Sequence, residues 1–346
     1  RPKMLKPLTI LITAVGCPGA VALLRSLREN GEREVRLVGV DTNEQAIGRH
    51  LCDVFAAVPA GSDPGFAGAV LDICRRENVD VVLPQSSYTL EGLAIEKESF
   101  GKIVVVVASI EAIRRANDKA ETFALCDAIG VRVPAWRRVA TPVEFEQAGH
   151  ELGYPEREIC MKPLVSSGTR GFRVISSTAD RRKQLLENRP GMPEALRLEE
   201  AAELAGGTGV EWLVMELATG KEHTIDGYAE RGEVLLGYPK TREAMRAGLA
   251  MYFETLDSPE LMEAGAKIIR ELDFDGFFSV NLVGDCVIEI NPRISTVPYQ
   301  EDFNYPYLAL KRAVGELSAD ELRAYSARIR PSRRTLRYFD QLGWDE

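Results

Sequence analysis

The chain has 346 residues, enough for two or three packed domains, with 52 acidic against 43 basic side chains and a formal net charge of -9. That balance speaks against a nucleic-acid partner, and no apolar run is long enough to cross a bilayer, so a cytoplasmic protein with no membrane attachment is expected. The six cysteines (17, 52, 74, 126, 160 and 286) form no C-x-x-C pair and stand at no zinc spacing with the three scattered histidines, which excludes a zinc module and any Ser-His-Asp or Cys-His arrangement and leaves them as reduced core residues.

Residues 8–14 are a continuous apolar run, read as a buried parallel strand. The chain opens on Arg1, Met4 is a candidate start, and the polar amphipathic segment after Val15 argues against a signal peptide. Gly16-Cys17-Pro18-Gly19 is a turn, residues 20–28 have helical spacing (Val21, Leu24, Leu27), and residues 35–40 are a strand ending at Asp41. The turn serves either to aim helix N–H groups at an anion or as a tight connection that needs small residues. Val15 and Pro18 break the G-x-G-x-x-G dinucleotide fingerprint. Strand and helix keep alternating: strand 52–58, helix 64–77, strand 80–84, a loop running into a helix over 86–93, strand 103–107. The first 108 residues therefore read as a doubly wound parallel sheet. Gln85, Ser86, Ser87 and Glu91 cluster after the strand at 79–83, where such folds bind ligands; Ser with a later Glu equally fits a helix cap.

Residues 109–115 and 118–129 read as helices with Asn117-Asp118-Lys119 between them, and Thr141-Pro142 opens another to about 152. Residues 159–163 are a strand carrying Lys162, followed by Ser166-Ser167-Gly168-Thr169-Arg170-Gly171 and a strand at 172–175. Small residues there let backbone N–H groups approach phosphate oxygens, and lysine adds a compact charge. The Walker pattern is absent, and a plain hairpin is the other reading. Residues 178–186 and 197–204 are helical or irregular, 211–215 a strand, 216–222 a connection, and 223–230 with 234–240 a strand pair across Arg231-Gly232-Glu233. Residues 259–271 form an amphipathic helix with Leu261, Ala264, Ile268 and Leu272 on one stripe, and 277–283 a strand. In the next strand, alternation puts Val287, Glu289, Asn291 and Arg293 on one face and Ile288 and Ile290 on the other. Glu and Asn two apart suit a hard cation such as Mg2+, and arginine suits phosphate or carboxylate; a half-exposed edge strand with a surface ion pair is the alternative. The arginine-rich tail (Arg328, Arg330, Arg333, Arg334, Arg337, near Tyr338 and Phe339) reads as a solvated face leading to a last strand.

Taken together, five pieces in order resemble the ATP-grasp superfamily: the N-terminal domain, Asn117-Asp118-Lys119, Met161-Lys162-Pro163 with its glycine loop, Met215 to Glu222, and Glu289-Ile290-Asn291-Pro292-Arg293. The likeness extends to single-module ligases similar to the carbamoyl phosphate synthase large subunit and to the pyrrolysine-biosynthesis ligase. It implies an α/β ATP-grasp fold, with a Rossmann-like doubly wound pre-ATP-grasp domain (1–108) and two α+β subdomains (109–220 and 221–346) that sandwich ATP. By position, Lys119 and Lys162 resemble the pair that holds ATP phosphates. Ser167, Gly168, Thr169 and Gly171 resemble the loop that closes over them, Met215, Glu216 and Leu217 the adenine hinge, and Glu222 the ribose acid. Glu289 and Asn291 resemble metal ligands for Mg2+, with Mn2+ as the alternative ion, and Arg293 the arginine beside the transferred phosphoryl group. Asn281 stands where the family usually has Gln, Asp or Glu. A metal role for it requires the face of Glu289, which a three-residue loop Gly284-Asp285-Cys286 would give and a two-residue loop would not.

The implied reaction joins a small-molecule carboxylate to an amine with release of ADP and phosphate. Arg242 and Lys240, expected just after a strand, and Thr296 are candidates for substrate carboxylate or phosphate, as are Gln85, Ser86, Ser87 and Glu91. Acids and aromatics over 294–302 suggest an amine-bearing or partly aromatic substrate, and the family admits a homodimer. The competing readings are an ATP-binding regulator that has lost catalysis, supported by Asn281, and an NAD-dependent oxidoreductase using Gly16, Gly19 and Asp41.

Overall fold

The computed structural model describes residues 5–166, 170–188, 192–207, 209–246, 249–298 and 300–344. Met4, the loop residues Ser167, Gly168 and Thr169, and Tyr299 lie outside the described residues. Among the described residues the strands form three sheets.

The first part runs β1 (Leu8–Thr13), α1 (Ala20–Arg28), β2 (Val35–Asp41), α2 (Gly48–Leu51), β3 (Val54–Ala57), α3 (Phe66–Glu77), β4 (Val81–Leu83), α4 (Ser87–Ile95) and β5 (Val104–Val105). Every strand pair is parallel, in the order β3-β2-β1-β4-β5. β1 is almost wholly buried, as its unbroken apolar run requires when both sheet faces are covered. Strand order reverses between β1 and β4, so the carboxyl ends of those two strands flank a crevice. Gly61 lets the connection before α3 lie against α4, because a Cβ there would stand 2.1 Å from the Tyr88 carbonyl oxygen and 2.7 Å from its carbon. Gly61→Ala is expected to cost about 1–3 kcal/mol, seen as a lower urea midpoint at unchanged m-value; an unshifted midpoint would show that the loop yields freely.

Next come α5 (Ile110–Asn117), α6 (Lys119–Ala128), β6 (Trp136–Val139), α7 (Pro142–Glu151), β7 (Ile159–Pro163), β8 (Arg173–Ile175), α8 (Arg181–Glu187), β9 (Ala195–Leu196), α9 (Leu198–Ala205) and β10 (Trp212–Glu216). The second sheet is ordered β6-β10-β7-β8-β9, and Phe145, Leu198 and Val214 pack in its core with α7 and α9. Asp118 caps α6, accepting the N–H groups of Ala120 and Glu121. Lys119 is thereby fixed as the first helical residue, its own N–H donated to the Leu164 carbonyl at 3.1 Å.

The third sheet comprises β11 (Glu222–Glu230), β12 (Glu233–Arg246), β13 (Leu249–Glu254), β14 (Gly276–Val283), β15 (Cys286–Asn291) and β16 (Arg334–Leu336), ordered β15-β14-β11-β12-β13-β16. α10 (Pro259–Glu271) packs on one face through Ile268 and Ile269; α11 (Tyr305–Ala313) and α12 (Ala319–Ser326) lie between β15 and β16. One core runs from Leu11 and Val82 of the first sheet to Val280, Val287 and Ile290 of the third, so the two sheets are packed together. β12 extends past Lys240 and Arg242, which therefore lie inside a strand and not after it. α11 is buried almost all round, which removes the amphipathic stripe that would mark it as a helix.

The β14–β15 hairpin has the shorter loop. Val283 pairs with Cys286 across Gly284-Asp285, and Leu282 with Val287, but Asn281 pairs with Glu289. Ile288 is the extra residue of a β-bulge. The bulge, in place of a longer loop, brings Asn281 opposite Glu289. It also corrects the expected alternation: Val287 turns into the core with Ile290, and Glu289 and Asn291 face the other side.

Candidate active site

The inner face of the third sheet carries polar residues in register. One row reads Lys240, Thr224, Asn281, Glu289 across β12, β11, β14 and β15; the next reads Tyr238, Asp226, Ser279, Asn291. Arg242 opposite Glu222 forms a row at the edge. Thr224 Oγ1 donates to Asn281 Oδ1 at 2.9 Å, and Asn281 Nδ2 donates to Glu289 Oε2 at 3.3 Å. Asn281 thus shares the face of Glu289 and orients its carboxylate.

Two buried lysines face that carboxylate. Lys119 Nζ lies 3.8 Å from Glu289 Oε1 and donates to the Ser166 carbonyl at 2.9 Å. Lys162, 8% exposed, donates to the carbonyl of Ile288, the bulged residue, at 2.7 Å and sits 5.6 Å from the Phe123 ring centroid. The bulge therefore does two things: it sets the register of Glu289 and turns a carbonyl toward Lys162. Burial pushes Lys162 down to about 8; Glu289 opposes that shift and Lys119 adds to it. Lys119 is also lowered by burial, against Glu289 and Asp118. Two crowded cations held by one carboxylate make a site for further negative charge.

The sign of the lysine shift gives a stability prediction. An unfolded chain holds the Lys162 proton to a higher pH than the folded one, so its charge is destabilising below pH 8, and the penalty shrinks as pH rises above 8. Lys162→Met is expected to raise the Tm of the metal-free, nucleotide-free protein by a few degrees at pH 7, with the gap narrowing at pH 9. A lower Tm at pH 7 would mean that the bond to Ile288 outweighs the burial of charge.

Arg293 donates to Asn291 Oδ1 at 3.2 Å and to the Ile294 carbonyl at 3.1 Å. Burial lowers its pKa, against Glu289 and the Cys17 thiol. The β1–α1 turn therefore reaches the Asn-Pro-Arg segment across the switch-point crevice. Gln85 sits at the same place: a Cβ on Gly19 would be 3.2 Å from Gln85 Nε2 and 3.5 Å from the Ser295 carbonyl oxygen. Gln85 is 5% exposed and its Oε1 has no hydrogen-bond partner among the described residues. Burial raises the Cys17 thiol, with Arg293 acting against it. Asp41 is spent inside the turn region, accepting the N–H groups of Gly16 at 2.8 Å and Asn43 at 2.9 Å, which leaves it poorly placed to hold a ribose.

The remaining predicted residues divide. Ser86 caps α4 by accepting the Tyr88 N–H, and Glu91 pairs with Arg114 at 3.0 Å. Ser87 and Glu91 line a cavity of about 590 Å3 together with Tyr88, Asn117, Val165 and Ser166, at the base of the glycine loop and apart from Gln85. Arg170 reaches the Tyr88 hydroxyl from the loop side. Gly171 ends that loop at φ +73°, where a Cβ would meet Pro163 Cδ at 2.6 Å. Met215 and Leu217 join Phe123, Cys160 and Leu164 in a small apolar cluster beside Lys162, while Glu216 turns outward, 3.6 Å from Arg157. Arg242 lies 3.9 Å from Glu222 and is lowered by burial against Glu222 and Glu289. Lys240 is committed to the fully buried Asp226, so it is not a free substrate cation. Thr296 is buried and gives its carbonyl to Tyr238 at 3.0 Å. Asp302 is bound to Gln300 and Arg330, both at 2.8 Å.

Asp226 is absent from the sequence-based site. Asp226 carried a signal, since Glu222, Thr224 and Asp226 alternate on one face of β11.

Residues 10–108 match the family described as PylC-like, N-terminal domain, and residues 208–334 the family described as ATP-grasp in the biosynthetic pathway with Ter operon. The chain has the ATP-grasp fold, and residues 208–334 match an ATP-grasp family. The carbamoyl phosphate synthase large chain of Rubrobacter xylanophilus is 27% identical over 285 residues, covering 78% of this chain and 26% of that protein; the chain spans about a quarter of that relative's length. Among solved structures, the L-amino acid ligase from Bacillus licheniformis aligns with a TM-score of 0.65 over 96% of this chain and 79% of that one, at 17% identity. N5-carboxyaminoimidazole synthetase from Staphylococcus aureus, complexed with ADP, gives 0.65 over 90% and 78% at 15% identity. These likenesses carry the ATP-grasp fold. Among the described residues, no helix is long and apolar enough to cross a membrane.

Proposed function

We propose that this ATP-grasp chain is an ATP-dependent ligase. A carboxylate oxygen attacks the γ-phosphorus of ATP, and ADP leaves. An amine then attacks the acyl carbon, and inorganic phosphate leaves. The observation that carries the reading is the gathering of cations around one partly open carboxylate: Lys119 lies 3.8 Å from Glu289, Lys162 is bonded to the carbonyl of Ile288 beside it, and Arg293 is bonded to Asn291 two residues on. Phosphoryl transfer needs positioning and charge neutralisation more than a nucleophilic side chain. In this reading Lys119 and Lys162 hold phosphate oxygens, Arg293 stands beside the transferred group, and Met215 to Leu217 with Glu222 take adenine and ribose. Ser167, Gly168, Thr169 and Gly171 close the site, excluding water that would hydrolyse the acyl phosphate. Gln85 faces the acyl substrate in the switch-point crevice. The domain boundaries at 108 and 220 belong to the same reading.

A metal ion fits this donor set sparsely. Among the described residues no three His, Cys, Asp or Glu side chains stand together. Glu289 with Asn291, and Asn281 once its amide turns its oxygen over, would hold Mg2+ or Mn2+, with phosphate and water completing the shell. The bound ion would supply charge neutralisation at the phosphates. The hydrogen bond from Asn281 Nδ2 to Glu289 favours a second reading, an ATP-binding regulatory protein with weakened catalysis.

A screen of carboxylate–amine pairs for ADP and phosphate release separates the two. At least one pair is expected to drive stoichiometric release of both. ATP binding without turnover across the panel would favour the regulator.

A further inference from the structure

After β16 the chain leaves the third sheet and reaches the N-terminal part of the molecule. The N–H of Arg337 donates to the Met251 carbonyl at 2.7 Å, continuing the pairing of β16 with β13. Residues 338–344 then belong to no helix or strand. Two ring contacts hold them. The Arg246 guanidinium lies over the Phe339 ring, 4.4 Å from its centroid, at the outer end of β12. The Trp344 ring stacks on the His50 imidazole of α2, with centroids 4.0 Å apart and planes at 31°.

Both landing points border the crevice. β11 ends opposite Arg242, at Glu222, and past that row β12 and β13 run on as a two-stranded ribbon to Arg246. The ribbon therefore projects beyond the polar rows that hold Glu289 and Asn291. On the other wall, α2 adjoins the β1–α1 turn. The Gly48 N–H donates to the Val15 carbonyl at 3.2 Å, and a Cβ on Gly16 would stand 3.0 Å from Ala46 Cβ. Gly19, at the end of that turn, meets Gln85 and Ser295 inside the crevice. Residues 339–344 thus join the ribbon to the rim of the turn in five residue steps, which span at most about 18 Å.

The segment is held lightly. Tyr338, Phe339 and Trp344 keep 70%, 71% and 58% of their surface in water, and Leu342 keeps 45%. An exposed cation over a ring is a weak tie. Few buried apolar contacts and no regular ladder place a segment at the low-stability end of a fold, from which lids are drawn. We propose that residues 338–344 are a strap that closes the crevice over the β1–α1 turn and opens by releasing Trp344 from His50, so that it gates the passage of small molecules. The proposal rests on the position of the crevice and not on the reaction carried out there.

Cys17, partly exposed in the turn beneath the strap, is the probe. The full chain is treated with N-ethylmaleimide in the absence of nucleotide, and the modification rate of each cysteine is read by peptide mass spectrometry. Trp344→Ala and Phe339→Ala are each expected to raise the Cys17 rate by about 5-fold or more, since each removes one tie of the strap. Trp344→Phe, which keeps a ring to stack on His50, is expected to stay nearer the wild type. Cys286, partly exposed at the β14–β15 turn, is the control and is expected to keep its rate in all three variants. An unchanged Cys17 rate in both alanine variants would overturn the strap. So would a parallel rise at the buried Cys74 and Cys126, which would mark a general loosening of the fold in place of an opened crevice.

Discussion

Glu289→Ala is expected to lower ATP-dependent ADP release by about 1000-fold or more, with a modest fall in Tm because two buried lysines lose their counter-charge. Glu289 is the acid of the row that faces the two lysines, and its carboxylate lies 3.8 Å from Lys119. Its charge also supports protonation of Lys162, Arg242 and Arg293. Its removal takes away the one carboxylate of the proposed metal set and lets Lys162 fall below about 8, so a larger neutral fraction stands at pH 7 where phosphate charge must be met. Both losses act on the transition state. The fold does not depend on this side chain, because the β14–β15 register is also fixed by Val280 and Leu282 packed against Ile290 and Val287. ADP release within a few-fold of wild type would remove Glu289 from the chemistry.

The second large effect is on stability. Asp226 and Lys240 form an ion pair with side chains 0% and 1% exposed, and Ser279 beside them has a buried hydroxyl without a hydrogen-bond partner among the described residues. Lys240→Met strands a buried carboxylate and is expected to cost about 3–5 kcal/mol, a fall in Tm of roughly 10 °C for a chain of this size. The double variant Asp226→Leu/Lys240→Met removes both charges and is expected to recover most of the loss, because an apolar pair replaces a buried ionic one at little net cost. Guanidinium unfolding of the four proteins gives the cycle. A single variant as stable as wild type would show that Asp226 is solvated by its neighbours and needs no cation. The pair lies in the rows of Asn281 and Asn291, so its loss is also expected to loosen the strand face that presents Glu289.

Much of this arrangement was legible in the chain. The βα alternation of the first part, the limits of α1, β7 and α10, and the order of the lysine, hinge and Glu-Ile-Asn-Pro-Arg segments all depend on local periodicity and spacing, which a sequence displays directly. Asn281 facing Glu289 was foreseen as a requirement but not its cause. A bulge at Ile288 depends on contacts from a distant part of the chain, here the Lys162 ammonium of the second sheet, which donates to its carbonyl. The split of Gln85 from Ser87 and Glu91 was hidden for the same reason: residues adjacent in sequence enter different spaces once α4 begins at Ser87. β6 and β9 were missed because four- and two-residue strands leave little pattern.

The central claim is that a carboxylate is activated by phosphorylation, and isotope transfer tests it most directly. With an acid from the active carboxylate–amine pair labelled with 18O in its carboxyl group, turnover is expected to place one 18O in each inorganic phosphate released, visible as an upfield-shifted line in the 31P spectrum. Phosphate carrying no label, with ADP still formed, would contradict the acyl phosphate and the ligase account built on it.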